Sequence, residues 1–220
     1  MFGLKKLLSR STLPEHLPED LQQALLAWQG LPEAMDAVHF HTRYVVVDIT
    51  TSGFKVETDK LLGITAVGVV QGGCMQAADA FSVDFAGADV DDAAVDRQLV
   101  AFLQFVGKSP LVTYHTPFVG AFLQRLMKER LGLDFQPAYV DLAWLLPSMF
   151  EEKDHNLRPL DHWLELFGME AEGRRDAMTN TLLLARLFQR LLVRANGKDI
   201  DTAGGLVEES RACSFLRRTH

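Results

Sequence analysis

Two groups of polar residues in the chain are of types that bind metal ions or phosphate. The first is the segment Asp-Ile-Thr-Thr-Ser-Gly at 48–53, which places one carboxylate and three hydroxyls after the apolar run at 44–47. A carboxylate is a hard anionic ligand for a divalent cation, whereas a hydroxyl is a weaker, neutral one. The second is the pair Arg174 and Arg175, whose guanidinium groups suit phosphate without any metal.

The composition of the chain limits how such groups could be used. Its 220 residues include 29 acidic and 22 basic side chains, so the net charge of −7 opposes long-range attraction of a phosphate backbone. Any contact with nucleic acid is therefore expected to be local. Cys74 and Cys213 fit neither a disulfide framework nor a zinc motif, which favours a reducing, cytoplasmic setting. No apolar run approaches the roughly 20 residues of a membrane-spanning helix, so no membrane span is expected.

The apolar pattern of the central region predicts a mixed α/β fold. The predicted strands are rich in β-branched or aromatic residues and lie at 43–49, 61–70, 75–84, 110–114 and 138–141. The first three form a meander, because a Gly-Gly turn at 72–73 separates the second from the third. A helix is predicted over 91–107, and further helices extend to about residue 194. This order indicates a mixed sheet with helices on its faces.

Segments of different character flank this central region. Apolar residues at helical spacing precede Gly30, so residues 1–42 are predicted to form an N-terminal helical extension. Residues 43–195 would form the main domain. Residues 196–220 are rich in glycine, serine, threonine and charge without a clear period, and they are predicted to be a loose tail.

Three motifs within residues 43–194 resemble those of the DEDDh 3′-5′ exonucleases, a DnaQ-like or RNase T-like family of the ribonuclease H-like fold. The segment at 48–53 resembles the first motif, Asp-x-Glu-Thr-Thr-Gly. The segment at 111–123 is similar to the second motif, and Arg-Asp-Ala-Met-Thr-Asn-Thr at 175–181 is similar to the third. The resemblance implies a ribonuclease H-like mixed sheet flanked by helices.

Most of the residues that carry the family's chemistry differ in this chain. The resemblance implies four carboxylates that hold two divalent metals, and one histidine that acts as general base. Asp48 is retained. In the first motif, Thr50 replaces the glutamate, and in the second motif Val119 replaces the aspartate. In the third motif, Arg175 replaces the histidine and Asn180 replaces the aspartate.

These replacements predict that catalysis is lost. Two magnesium ions bring four positive charges within about 4 Å of one another, and a single carboxylate cannot neutralise them. An arginine stays protonated near neutral pH and cannot replace the histidine as a base. We therefore predict a pseudo-exonuclease that needs no cofactor. Mg²⁺ or Mn²⁺ would matter only for residual activity, with at most a weak metal site at Asp48.

The remaining cleft is predicted to bind a nucleotide or a single-stranded nucleic-acid end, or to serve in a regulatory subunit. The candidate binding residues are Thr51, Ser52, His115, Phe118, Arg174 and Arg175. The resemblance places Thr51, Ser52 and Phe118 at family positions that contact the terminal nucleotide. The two arginines precede the last long helix and could hold a phosphate with its amides, or they could pair with Asp48 or Asp176.

The changed positions also have structural explanations. Thr116 is predicted to cap a helix whose first residue is Pro117 and whose apolar stripe includes Val119, so Val119 is predicted to lie in the core. Asn180 is in helical register with three leucines and is predicted to face inward. Asp176 is predicted to cap the same helix.

A working exonuclease with a displaced ligand set is the first alternative function. Its ligands would be Asp48, Asp176 and Asn180, and its base would be His115 or His155. Acidic residues in loops could also supply ligands; these are Glu57, Asp59 and Asp84.

An interaction scaffold is the second alternative function. In that case the N-terminal helix would dock a protein partner and the old cleft would have no role. An exposed apolar patch formed by Leu21, Leu25 and Trp28 would favour this alternative.

Overall fold

A computed structural model describes residues 14–87, 91–169 and 176–218 of the chain, and a five-stranded sheet lies at its centre. In chain order the strands are β1 (Tyr44–Thr51), β2 (Leu61–Val70), β3 (Cys74–Asp84), β4 (Leu111–Thr113) and β5 (Tyr139–Asp141). The spatial order is β3-β2-β1-β4-β5. The first three strands are antiparallel, whereas β4 and β5 run parallel to β1. The carboxyl ends of β1, β4 and β5 therefore meet at one edge of the sheet.

Helices cover both faces of this sheet, which confirms the predicted mixed α/β architecture. Within the described ranges they are α1 (Glu19–Gln29), α2 (Asp92–Val106), α3 (Thr116–Leu131), α4 (Leu142–Met149), α5 (Leu160–Leu166), α6 (Ala177–Asn196) and α7 (Ala203–Arg218). None of these helices combines the length and apolar character that crossing a lipid bilayer requires.

Alternation along β1 divides the core into two layers. Val45 and Val47 are buried against a cluster that includes residues of α1, α2 and α3, whereas Tyr44 and Val46 are buried on the other side, among residues of α4, α6 and α7. Successive side chains of a strand point to opposite faces, so Asp48 shares the face of Val46. The retained carboxylate therefore faces the layer that contains α6.

The N-terminal helix is part of this core. The apolar residues Leu21, Leu25 and Trp28 of α1 are all buried, and α1 packs against α2. The indole Nε1 of Trp28 donates a hydrogen bond to the carbonyl oxygen of Gly107 at 2.7 Å. The predicted helix is confirmed. Its three apolar side chains are buried and form no exposed patch for a partner, so they do not favour the alternative function as an interaction scaffold.

The C-terminal region also differs from its prediction, because a loose tail is wrong for Ala203–Arg218. This segment forms α7, whose buried face includes Leu206, Val207 and Ser210. The hydroxyl of Ser210 accepts a hydrogen bond from the backbone N–H of Asp141 at 2.9 Å, so α7 covers the outer strand β5. An edge strand left open would expose unpaired backbone groups, which gives this helix a fixed place to pack.

Candidate functional site

The retained carboxylate lies near the end of β1, beside the first turns of α6. Asp48 stands directly opposite Thr65 of β2, and paired residues of antiparallel strands share one face. The hydroxyl of Thr65 lies 2.6 Å from the hydroxyl of Thr181 on α6. A cavity lined in part by Thr50, Thr65 and Ala177 opens at this junction. The start of α6 and the end of β1 therefore border the same cleft.

Asp48 has few groups that could stabilise its charge. Its Oδ1 accepts a hydrogen bond from the backbone N–H of Ile49 at 3.0 Å. No ion pair between described residues includes it. Burial is the largest influence on this group and raises the pKa of Asp48 above its ordinary value, against the smaller effect of the Ile49 hydrogen bond.

We expect Asp48→Asn to raise the free energy of unfolding at pH 7. The folded-state pKa of Asp48 is raised, so the folded protein binds this proton more tightly than the unfolded chain does. The resulting contribution to the free energy of unfolding is lost as the pH rises through the folded-state pKa. Asparagine imitates the protonated acid, so its advantage should vanish below the unfolded-state pKa of about 4. Urea unfolding of the parent protein and Asp48→Asn at pH 3.5 and pH 7 measures the difference in their free energies of unfolding at each pH.

The control for this experiment is Asp36→Asn, which changes an exposed acid that precedes β1. An Asp48→Asn protein that is less stable than the parent at pH 7 would contradict the expectation. It would mean that a cation outside the described ranges pairs with the carboxylate.

Asp141 fixes the starts of two helices at the carboxyl edge of the sheet, a role that the sequence did not reveal. Its Oδ1 accepts from the backbone N–H of His115 at 2.9 Å and of Ala143 at 3.0 Å, and its Oδ2 accepts from that of Thr116 at 2.8 Å. One carboxylate thus caps the starts of both α3 and α4. The expected cap Thr116 is instead the first residue of α3, and the cap position is occupied by His115 in a left-handed conformation with φ of 65°.

The second-motif position lies inside the apolar core, as predicted. Val119 is 2% exposed and belongs to the cluster that includes Phe122 and Leu123. Its side chain offers no oxygen or nitrogen to a metal. It lies four positions after His115, which is exposed at the start of α3.

Two aromatic rings, those of Phe54 and Phe118, lie close together at the carboxyl edge of the sheet. Phe118 was predicted from the sequence as a binding residue, but Phe54 was not identified. Phe54 is 87% exposed, and the centre of its ring lies 6.1 Å from that of Phe118. Phe118 is half-buried and contacts Phe122 edge-on at 5.0 Å. The available signal was that Phe54 directly follows Gly53 of the first motif.

Hydrogen bonds hold the loop that carries Phe54. The hydroxyl of Thr51 donates to the carbonyl oxygen of Gly53 at 2.8 Å, and the hydroxyl of Ser52 accepts from the backbone N–H of Lys60 at 2.8 Å. Arg125 of α3 donates to the backbone carbonyls of Val56 and Asp59. Thr51 and Ser52, predicted to contact a nucleotide, shape the loop that presents the aromatic ring.

The third motif is described only from Asp176 onward. As predicted, Asp176 caps α6, since it accepts from the backbone N–H of Thr179 at 2.8 Å and from its hydroxyl at 2.9 Å. The prediction of a buried Asn180 is wrong: this residue is half-buried, and Thr181 is the buried polar residue here because it continues the inward stripe of α6. Arg174 and Arg175 lie outside the described residues.

The described side chains do not fit a two-metal centre. No group of three or more histidine, cysteine, aspartate or glutamate residues in the described ranges could hold a metal ion. Thr50 is exposed, Asp176 is engaged as a helix cap, and His155 is exposed. Among the loop acids, Asp59 and Asp84 accept hydrogen bonds from nearby backbone N–H groups. The alternative ligand set of Asp48, Asp176 and Asn180 stays a prediction.

Comparisons with known proteins identify relatives of low sequence identity. No known family model matches the chain. It is 23% identical over 174 residues to DNA polymerase III PolC-type of Thermotoga petrophila and 24% identical over 174 residues to that of Thermotoga maritima. Each alignment covers 71% of this chain but only 12% of the polymerase.

Solved structures share the architecture. E. coli exonuclease I in complex with a dT13 oligonucleotide gives a TM-score of 0.54 at 14% identity, covering 71% of this chain and 42% of the exonuclease. Cell-death related nuclease 4 (CRN-4) gives a TM-score of 0.53 at 15% identity, covering 71% of this chain and 66% of the nuclease. The chain therefore has the ribonuclease H-like exonuclease fold seen in these two nucleases.

Proposed function

We propose that this domain binds the 3′ end of a single-stranded nucleic acid and does not hydrolyse it. The observation that carries the proposal is the aromatic pair of Phe54 and Phe118, which lies at the sheet edge where Asp48 is the one retained motif carboxylate. The aromatic pair offers a surface on which a base can stack, whereas the motif carboxylates other than Asp48 are replaced.

The aromatic pair suits an unpaired base. Every base has a flat face that can stack on an aromatic side chain, and such stacking tolerates different sequences. A phenylalanine with 87% exposure leaves its apolar surface in water, so covering it with a base is favourable. The hydrogen-bonded loop and the contact with Phe118 restrict the ring before binding, which reduces the entropy lost on association.

The chemistry of the cleft argues against hydrolysis. A two-metal mechanism needs several anionic oxygens around the ions, and Val119 and Thr50 supply none. Burial already disfavours the charge of Asp48, which is the form that binds a metal. A cleft with so few metal ligands can hold a nucleotide through stacking and backbone hydrogen bonds without activating water.

The comparisons support the choice of ligand class. Exonuclease I was solved with a dT13 oligonucleotide, and its fold is shared over 71% of this chain. Single-stranded DNA is thus a ligand of a protein with this fold, and we extend it to this chain as a proposal. A single-stranded RNA end has the same unpaired bases and serves as the second probe.

Binding is tested with fluorescein-labelled dT16 and rU16 against the parent protein and Phe54→Ala. Stacking contributes about 1–3 kcal/mol per base, so Phe54→Ala should weaken binding by about 5- to 150-fold. Phe40→Ala is the matched control, because Phe40 is also exposed but belongs to the turn His39–His41 before β1. Equal affinities for the parent protein, Phe54→Ala and Phe40→Ala would refute the aromatic site.

Hydrolysis is tested by manganese-dependent release of mononucleotides from the same oligonucleotides. The parent protein and an identically prepared Asp48→Ala protein should give the same background, because Asp48 alone cannot hold two metal ions. Release that disappears with Asp48→Ala would overturn the pseudo-exonuclease and establish a metal-dependent 3′-5′ exonuclease.

A further inference from the structure

The helix α6 carries a row of positive charges in an otherwise acidic chain. Between residues 177 and 198 there is no aspartate or glutamate. Four basic residues recur at intervals of four: Arg186, Arg190, Arg194 and Lys198. The first three lie on α6, where residues four apart form one ridge on the helix surface, and Lys198 follows in the turn after the helix. We call these four side chains the basic ridge.

The members of the basic ridge differ in how they are held. Arg186 and Arg190 are exposed, and neither forms an ion pair with a described residue. Arg194 is fixed, because its Nε donates to the carbonyl oxygen of Met149 and its Nη2 pairs with Glu152, both at 2.8 Å. Two guanidinium groups of the ridge are thus available to an anion.

A groove of about 630 Å³ runs beside the end of the basic ridge. Its lining includes Phe150 and Phe167 together with Arg190 and Lys198. The guanidinium of Arg194 lies 5.5 Å from the centre of the Phe150 ring, and the ammonium of Lys153, which is outside the ridge, lies 5.1 Å from the centre of the Phe167 ring. Because cations already occupy these ring faces, the groove offers positive charge rather than a surface for stacking bases.

The helix α6 starts at the cavity beside β1, and the basic ridge lies farther along the chain. Ala177, at the start of α6, lines the same cavity as Thr50 and Thr65. At about 1.5 Å per residue, Arg190 lies roughly 20 Å along the helix from Ala177, and Lys198 follows in the turn beyond the last residue of α6. A strand that ends near Asp48 would therefore need several nucleotides to reach them.

We infer that the basic ridge of α6 contacts the backbone phosphates of the strand upstream of its bound 3′ end. This inference rests on the proposed function. The local charge of the ridge complements a phosphate backbone, although the net charge of the chain does not. Affinity should then depend on the length of the oligonucleotide as well as on its terminal nucleotide.

The test compares dT3, which is too short to reach Arg190 from the site, with dT16. Binding is measured for the parent protein and for Arg190→Glu/Lys198→Glu. The double variant should bind dT16 at least about tenfold more weakly. Its plot of log binding constant against log salt concentration should have a slope that is less steep by about 1.4, because two phosphate contacts are lost. Its binding of dT3 should be unchanged.

Lys128→Glu/Arg211→Glu is the matched control. It changes the net charge equally, at exposed positions on α3 and α7, and it should bind dT16 as the parent protein does. Thermal unfolding of both double variants checks that they are folded.

The outcomes separate the two proposals. If dT16 binds the parent protein and both double variants equally, the ridge does not contact the strand, while the aromatic site stands. If the parent protein binds neither dT3 nor dT16, both proposals fail. Tighter binding of polyglutamate than of dT16 at the ridge would assign it to an acidic protein and overturn this inference.

Discussion

Replacing Asp141 with alanine should lower the free energy of unfolding by about 3–5 kcal/mol. The carboxylate accepts three backbone N–H groups, from His115, Thr116 and Ala143, and it lies in the buried interior. A lost helix cap costs about 0.5–2 kcal/mol, and each buried donor left without an acceptor costs about 1–3 kcal/mol. Urea unfolding of the parent protein and Asp141→Ala measures the difference.

Two further variants show whether the loss comes from these contacts. Asp141→Asn keeps one carbonyl oxygen as an acceptor, so it should be less destabilised than Asp141→Ala. Asp176→Ala removes the exposed cap of α6 and should cost less than either. If Asp141→Ala were no less stable than Asp176→Ala, water would be replacing the carboxylate, and the buried network would not hold α3 and α4 in place.

The same network affects the proposed function, because it fixes where α3 begins. His115 adopts a left-handed conformation at the cap position, and Phe118 follows in the first turn of the helix. Asp141→Asn keeps part of this network, so its Phe118 should stay in place and its dT16 affinity should change less than its stability does.

The parts of the fold that were predicted correctly are those with a strong local pattern of apolar residues. β2 was predicted at 61–70 and is observed at Leu61–Val70, and α1 stops before Gly30 as its sequence indicates. In α1 the apolar residues repeat at helical spacing, whereas β2 is a nearly continuous apolar run that is buried on both faces. The exception is α7, where Gly204 and Gly205 in the first turn weaken the helical pattern. Its helical state depends on packing over β5.

The parts of the site that were missed depend on contacts between distant residues or on exposure. Asp141 caps α3 across 25 residues of sequence, and nothing near Asp141 in the chain indicates that partner. Phe54 could have been buried or exposed, because a single phenylalanine in a loop has no period to indicate its direction. Val119 could be assigned to the core because it belongs to the apolar stripe of α3.

Replacing Val119 with aspartate should lower the free energy of unfolding by about 3–5 kcal/mol at pH 7. The position is 2% exposed and surrounded by apolar side chains, so an ionised carboxylate there loses its water without gaining a partner. Burial raises the pKa of the new acid, so it binds a proton more readily in the folded state. The deficit should therefore shrink as the pH falls toward 4.

Manganese then tests whether the missing carboxylates explain the loss of a metal site. Val119→Ala controls for the lost packing, and Mn²⁺ should stabilise neither it nor Val119→Asp, because Thr50 and Asn180 still contribute no charge. The triple variant Thr50→Glu/Val119→Asp/Asn180→Asp should gain thermal stability from Mn²⁺, since several carboxylates repel one another until a cation binds. If Mn²⁺ stabilised Val119→Asp but not Val119→Ala, Asp48 and one further carboxylate would suffice for metal binding. A single substitution would then be enough to restore a metal site in the cleft.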